Sequence, residues 1–134
     1  MITFELHRGT IQTYRWLLLN ADRHRINAPA VITYHSNGNK RVVAYYLDDE
    51  LDRNYIQGPA YTYWYLNGQK HIVNYLKIGM SHRPAHLGPA YISWWPDGIK
   101  MEEQYMEEGT LHRPDGPAHI RWDTNGKIYL ERNV

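Results

Sequence analysis

The chain is expected to be all-β: tandem β-hairpins forming an elongated, twisted antiparallel sheet with little or no helix. Three series of landmarks carry that expectation. A Pro-Ala pair falls at Pro29-Ala30, Pro59-Ala60, Pro89-Ala90 and Pro117-Ala118, and a turn glycine follows at Gly38, Gly68, Gly98 and Gly126. Four residues after each alanine stands an aromatic: Tyr34, Trp64, Trp94 and Trp122. All three series step by 30, 30 and 28 residues, and periods of this size mark repeat architectures.

Taken in order, residues 1–28 read as a degenerate N-terminal capping unit. Ile2 to His7 and Ile11 to Leu19 are candidate strands about an Arg8-Gly9-Thr10 turn, and His24 to Ala30 is a first copy of the loop signature with Ala28 in the glycine place. Terminal repeats depart from consensus because they cap the stack. Full repeats follow over 29–58, 59–88 and 89–116, and a truncated one over 117–134, all in a single domain. Each holds Asn-Gly or Asp-Gly between segments rich in Tyr, Trp, Val and Ile. Such a dipeptide favours a two-residue type I′ turn, with positive φ at both central residues. Each unit therefore reads as a hairpin and a loop of about ten residues, giving roughly nine or ten strands.

A two-residue turn fixes the register and hence the faces. It sets Trp94 opposite Met101, Ile92 opposite Glu103 and Ala90 opposite Tyr105, with Trp64 opposite His71 and Tyr34 opposite Arg41 in the units before. This constant Ala-x-Ile-x-Trp face is the expected core, thinly covered at its C-terminal end, where Glu103 and Glu131 fall on it. The other face varies from unit to unit. It holds Val31, Thr33 and His35, then Tyr61, Tyr63 and Tyr65, then Tyr91, Ser93 and Trp95, and last His119, Arg121 and Asp123. The same register puts Lys40, Lys70 and Lys100 on the variable face, where an amine over Tyr65 or Trp95 would gain about 0.5–1 kcal/mol.

Twelve tyrosines and five tryptophans against one phenylalanine suit half-wet sheets and interfaces more than a dry core. The absence of cysteine excludes disulfides and thiolate chemistry. Apolar runs such as Trp16 to Leu19 are too short to span a bilayer, and no signal-peptide pattern opens the chain. An intracellular protein, neither secreted nor transmembrane, is expected. The net charge of +1 divides into +3 over residues 1–48, with six Lys/Arg against three Asp/Glu, and −2 over 49–134, with nine against eleven. That balance speaks against a dedicated phosphate-backbone binder. It leaves Arg8, Arg15, Arg23, Arg25, Lys40 and Arg41 as candidate phosphate contacts.

The glycine-containing loop, the aromatic strand, the (Asn/Asp)-Gly turn and the tyrosine that follows resemble the MORN repeat over residues 21–134. Leu111-His112-Arg113-Pro114-Asp115-Gly116-Pro117-Ala118 is similar to a longer variant found in repeat proteins of large DNA viruses of the marseillevirus kind, with looser copies at 82–90 and 52–60. The usual MORN unit is shorter and carries a Tyr-x-Gly-x-Trp signature absent here. The resemblance implies stacked hairpins in a single-layered sheet and scaffolding, self-association or contact with acidic lipid. It also implies a viral setting, either the virion or the host cytoplasm.

Candidate chemistry is sparse. His24, His82 and His112 occupy equivalent loop positions, but positions one hairpin apart lie roughly 10 Å apart. Two nitrogens on one zinc stand only about 3.3 Å apart, given bonds of roughly 2.0–2.1 Å. Loop-bracing is the expected role for these histidines, and no metal or other cofactor is expected. Arg53, Arg83 and Arg113, with Arg25, form a regular series read as repeat-structural, as are Gly38, Gly68, Gly98, Gly126, Trp64, Trp94 and Trp122. Glu102, Glu103, Glu107 and Glu108 lack a nucleophile or buried partner in the pattern, so no enzyme is expected. Tyr61, Tyr63, Tyr65, Tyr91 and Trp95, with Lys70 and Lys100, form the candidate partner-binding face. Its rival role is as a surface covered by Trp16 to Leu19. The expectation is a non-enzymatic, self-associating module, a homodimer without a small-molecule substrate. Nucleic-acid binding through Arg/Lys and aromatic surface is the first alternative, and an anionic lipid surface the second.

Overall fold

A computed structural model describes residues 1–7 and 9–133; Arg8 lies outside the described residues. β1 (Ile2–His7) and β2 (Thr10–Trp16) form the opening hairpin. β3 (Val31–Tyr34) and β4 (Lys40–Ala44) form the next, followed by the short β5 (Tyr46–Leu47) and β6 (Glu50–Leu51). The pattern recurs as β7 (Tyr61–Trp64), β8 (Lys70–Asn74), β9 (Leu76–Lys77) and β10 (Met80–Ser81). It recurs again as β11 (Tyr91–Trp94), β12 (Lys100–Gln104), β13 (Met106–Glu107) and β14 (Thr110–Leu111), and closes with β15 (His119–Trp122) and β16 (Ile128–Arg132). The ten long strands make one antiparallel sheet in the order β1-β2-β3-β4-β7-β8-β11-β12-β15-β16. The sheet stays open, and its extensive strand contacts are all between ladder neighbours. The one helical segment among the described residues is a single 3₁₀ turn, Ala85–Leu87.

The Asn-Gly and Asp-Gly turns are not type I′. Only the glycine has positive φ: 88° at Gly38, 88° at Gly68, 92° at Gly98 and 83° at Gly126. The Gly98 N–H donates to the Trp95 carbonyl and the Trp95 N–H to the Ile99 carbonyl, with the same pairings in the other three units. This is a three-residue loop, a type I turn closed by a glycine in the left-handed region. Asn and Asp still have a use there, because Oδ1 of Asn37, Asn67 and Asp97 accepts the N–H two residues on. Asn37 and Asn67 also donate from Nδ2 to the carbonyls of Leu66 and Pro96 in the following turns. Asp97 has no such donor.

The longer loop corrects the register at the turn end of each hairpin. A bulge falls between Ser93 and Trp94, so Trp94 faces Lys100 rather than Met101, while Ile92 still faces Glu103. Likewise Trp64 faces Lys70 rather than His71, and Tyr34 faces Lys40 rather than Arg41. One extra residue in the loop and one in the bulge cancel, which is why the body of each hairpin keeps its expected pairing. The lysines thereby move to the constant face. Arg41 and His71 move to the variable one, where Arg41 Nε reaches Thr33 Oγ1 at 3.4 Å and the His71 ring lies 5.3 Å from Tyr63.

The segments expected as plain loops contain a second row of small hairpins. Asp48-Asp49, Ile78-Gly79 and Glu108-Gly109 have positive φ at both residues, so type I′ turns occur here instead. The rows interlock: the N–H groups of Asp49, Gly79 and Gly109 donate to the carbonyls of Arg23, Leu51 and Ser81 in the preceding row member.

The constant face is covered from within each loop. Ala30, Ala60, Ala90 and Ala118 are fully buried. Arg25 lies over Trp16, Arg53 over Tyr45, Arg83 over Tyr75 and Arg113 over Tyr105, with guanidinium carbons 3.9–4.1 Å from the ring centres. Nη1 of each arginine donates to the carbonyl of the proline before the alanine, at 3.0–3.3 Å. Each stack is worth about 0.5–2 kcal/mol, rising with desolvation. Glu103 is buried and paired with Lys100, so the C-terminal end of this face is not thinly covered at that point; Glu131 is exposed.

Candidate functional site

The variable face gathers the expected aromatic stripe at the middle of the sheet. Tyr61 and Tyr91 flank Asn74 in one row across β7, β8 and β11, while Tyr63, Ile72 and Ser93 form the next. All five stripe aromatics are half-buried. Burial raises the Tyr61, Tyr65 and Tyr91 hydroxyls above the usual tyrosine value, helped at the first two by neighbouring Tyr63. Tyr65 stacks on His71 at 4.2 Å and donates its hydroxyl to the Trp94 carbonyl at 2.9 Å. His35, one unit earlier, likewise meets the Trp64 carbonyl at 2.8 Å. Tyr65 thus links one unit to the next. Nε1 of Trp95, at the third equivalent position, is buried and has no hydrogen-bond partner among the described residues, as is Nδ1 of His71.

Trp16 to Leu19 does not cover this stripe. Trp16 is in β2, stacked on Tyr14 and beneath Arg25, and Leu19 is 96% exposed. Nor do Lys70 and Lys100 border the stripe, since the bulge carries them to the other face. Lys100 pairs with Glu103 and stands 5.6 Å from the centre of the Trp122 ring.

The candidate phosphate contacts do not form one patch. Arg15 is on the variable face, paired with Glu5. Arg23 pairs with Asp49 and lies over Tyr46; the hydrogen bond raises the arginine above its ordinary value and holds the carboxyl of Asp49 below its own. Arg25 is held in its loop stack. Lys40 and Arg41, adjacent in β4, point to opposite faces, with Arg41 the extra residue of the bulge.

Instead the structure builds an unforeseen row on the constant face. Tyr34, Lys40, Trp64, Lys70, Trp94, Lys100 and Trp122 alternate ring and amine across successive strands. The aromatics were visible in sequence. Their lysine partners were hidden, because the dipeptide at the turn does not distinguish a two-residue from a three-residue loop.

His24 and His82 accept at Nδ1 the N–H of Asp48 and Glu108, the first turn residues of the next small hairpin. Glu102 pairs with His119 on the variable face, with Arg121 3.5 Å away. Among the described residues no group of three or more His, Asp or Glu side chains is placed to hold a metal ion, and no helix is long and apolar enough to cross a membrane. No family model, curated protein or solved structure matches the chain.

Proposed function

We propose that the chain is a non-enzymatic binding module that pairs with a second copy of itself through the variable face of its sheet. The observation that carries this reading is the stripe Tyr61, Tyr63, Tyr91 and Trp95, half-buried and clustered on neighbouring strands of a sheet with no second sheet packed on it among the described residues. Clustered aromatic surface of this kind on a folded domain marks an interaction site. Tyr and Trp are the residues that anchor such interfaces. The stripe lies on the fifth to seventh strands of ten, so a two-fold axis through it sets stripe on stripe, as a self-complementary dimer requires. Facing sheets would then close at about 10 Å.

Light scattering tests the reading on the wild-type chain and on Tyr63→Ser/Trp95→Ser. A wild-type mass of two chains, falling to one in a variant that keeps its far-ultraviolet spectrum, supports it. A monomeric wild type, or a variant still dimeric, refutes it.

A further inference from the structure

The row of rings and amines on the constant face has a chemistry of its own. We propose that it binds single-stranded nucleic acid along Tyr34, Lys40, Trp64, Lys70 and Trp94. The proposal uses the face opposite the self-association stripe and does not depend on it.

Three observations carry it. The first is spacing. Consecutive aromatics sit two strands apart, about 10 Å, and the lysine on the strand between them is paired across the hairpin with the ring before it, about 5 Å away. The rings are half-buried and set by the sheet, so little freedom is lost when a base stacks on them. The second is charge. Lys40 and Lys70 are exposed, and among the described residues neither is in an ion pair. The adjoining row on the same face, Ile32, Val43, Thr62, Val73 and Ile92, holds no acid. The uncompensated charge stops at Lys100, which Glu103 neutralises. The third is the pairing of the two groups. A single strand presents flat bases and phosphates together, whereas a duplex stacks its bases inward and an anionic membrane offers charge without rings. Aromatic platforms interleaved with cations are what non-specific single-strand binders use.

The salt dependence follows from the count of free lysines. Two neutralised phosphates on a single strand contribute a slope of about −1.4 in log K against log salt. Fluorescence anisotropy with a labelled oligo-dT of about 15 nucleotides, read between about 50 and 200 mM salt, measures it. The wild type is expected to bind and to show quenched tryptophan emission. Lys40→Ala/Lys70→Ala, at exposed positions that leave the sheet intact, is expected to bind about tenfold less well and to lose about 1.4 from the slope. Trp64→Ala is expected to weaken binding, with Trp64→Phe restoring most of it. Tyr63→Ser/Trp95→Ser on the other face is expected to bind like the wild type. The proposal is overturned if the lysine variant binds unchanged. It is also overturned if duplex, heparin or anionic vesicles match the single strand in affinity and quenching, because charge alone would then explain the contact.

Discussion

Arg53 shows how one side chain sets several others. Its guanidinium stacks on Tyr45, donates to the Pro59 carbonyl and fills the space beside Gly58, where an added Cβ would come within 2.6 Å of Nη1. With φ of 141° there, the backbone conformation favours glycine, and an added Cβ would push the guanidinium from its place. His71 makes the residue-scale case for pH. Burial in its stack with Tyr65 lowers its value below the ordinary 6.5. The folded state therefore keeps the ring neutral where the unfolded chain already takes up a proton. The unfolded state binds more protons as pH falls through 6.5, so this contribution to stability is complete above that value and is lost below it. Thermal melts at pH 7.5 and 5.5 should show a smaller acid-induced drop in melting temperature for His71→Phe, which keeps the stack and removes the titration. An equal drop in both proteins would refute this role for His71.

Among elements, the turns divide what was legible from what was not. Asn37-Gly38 and its equivalents announced hairpins correctly, because both loop types need a left-handed glycine and local acceptors. The same dipeptide concealed the bulge, and with it the side chains of Lys70 and His71. The small hairpins escaped notice because Asp48-Asp49, Ile78-Gly79 and Glu108-Gly109 lie outside the usual type I′ pairs. Ile78 is the least suited of these residues: it is β-branched, exposed and held at φ of 49°. Since left-handed backbone costs a non-glycine residue about 1–2 kcal/mol and asparagine less, Ile78→Asn should stabilise the fold by about 1 kcal/mol. Urea denaturation would register this as a higher midpoint at unchanged slope, and a lower midpoint would mean that Ile78 contributes packing that outweighs its backbone strain.

At the scale of the whole molecule, each long strand depends on its ladder neighbours, and among the described residues no distant strand packs extensively on the sheet. Stability in such an array is a sum of unit and nearest-neighbour contributions. Damage should therefore stay local. Ala90 is fully buried in the third full repeat, and Ala90→Leu should cost about 1–3 kcal/mol by overpacking. Hydrogen exchange should show lost protection from β11 to β14 with β2 to β4 preserved. Uniform loss across all ten long strands would instead mean that the sheet unfolds as one unit.

The sequence determined the period, the hairpins and the two faces of each strand's body, since turn glycines and period-two alternation act within a few residues. It also showed the arginine series that closes each loop, though not the rings on which those arginines rest. Tertiary structure decided which groups share the turn end of each hairpin. A single bulged residue reverses a side chain's face, and its place is fixed by hydrogen bonds across strands. Through that bulge, lysines separated from their tryptophans in the expected register became neighbours, and the aromatic stripe kept its rings but lost its cations.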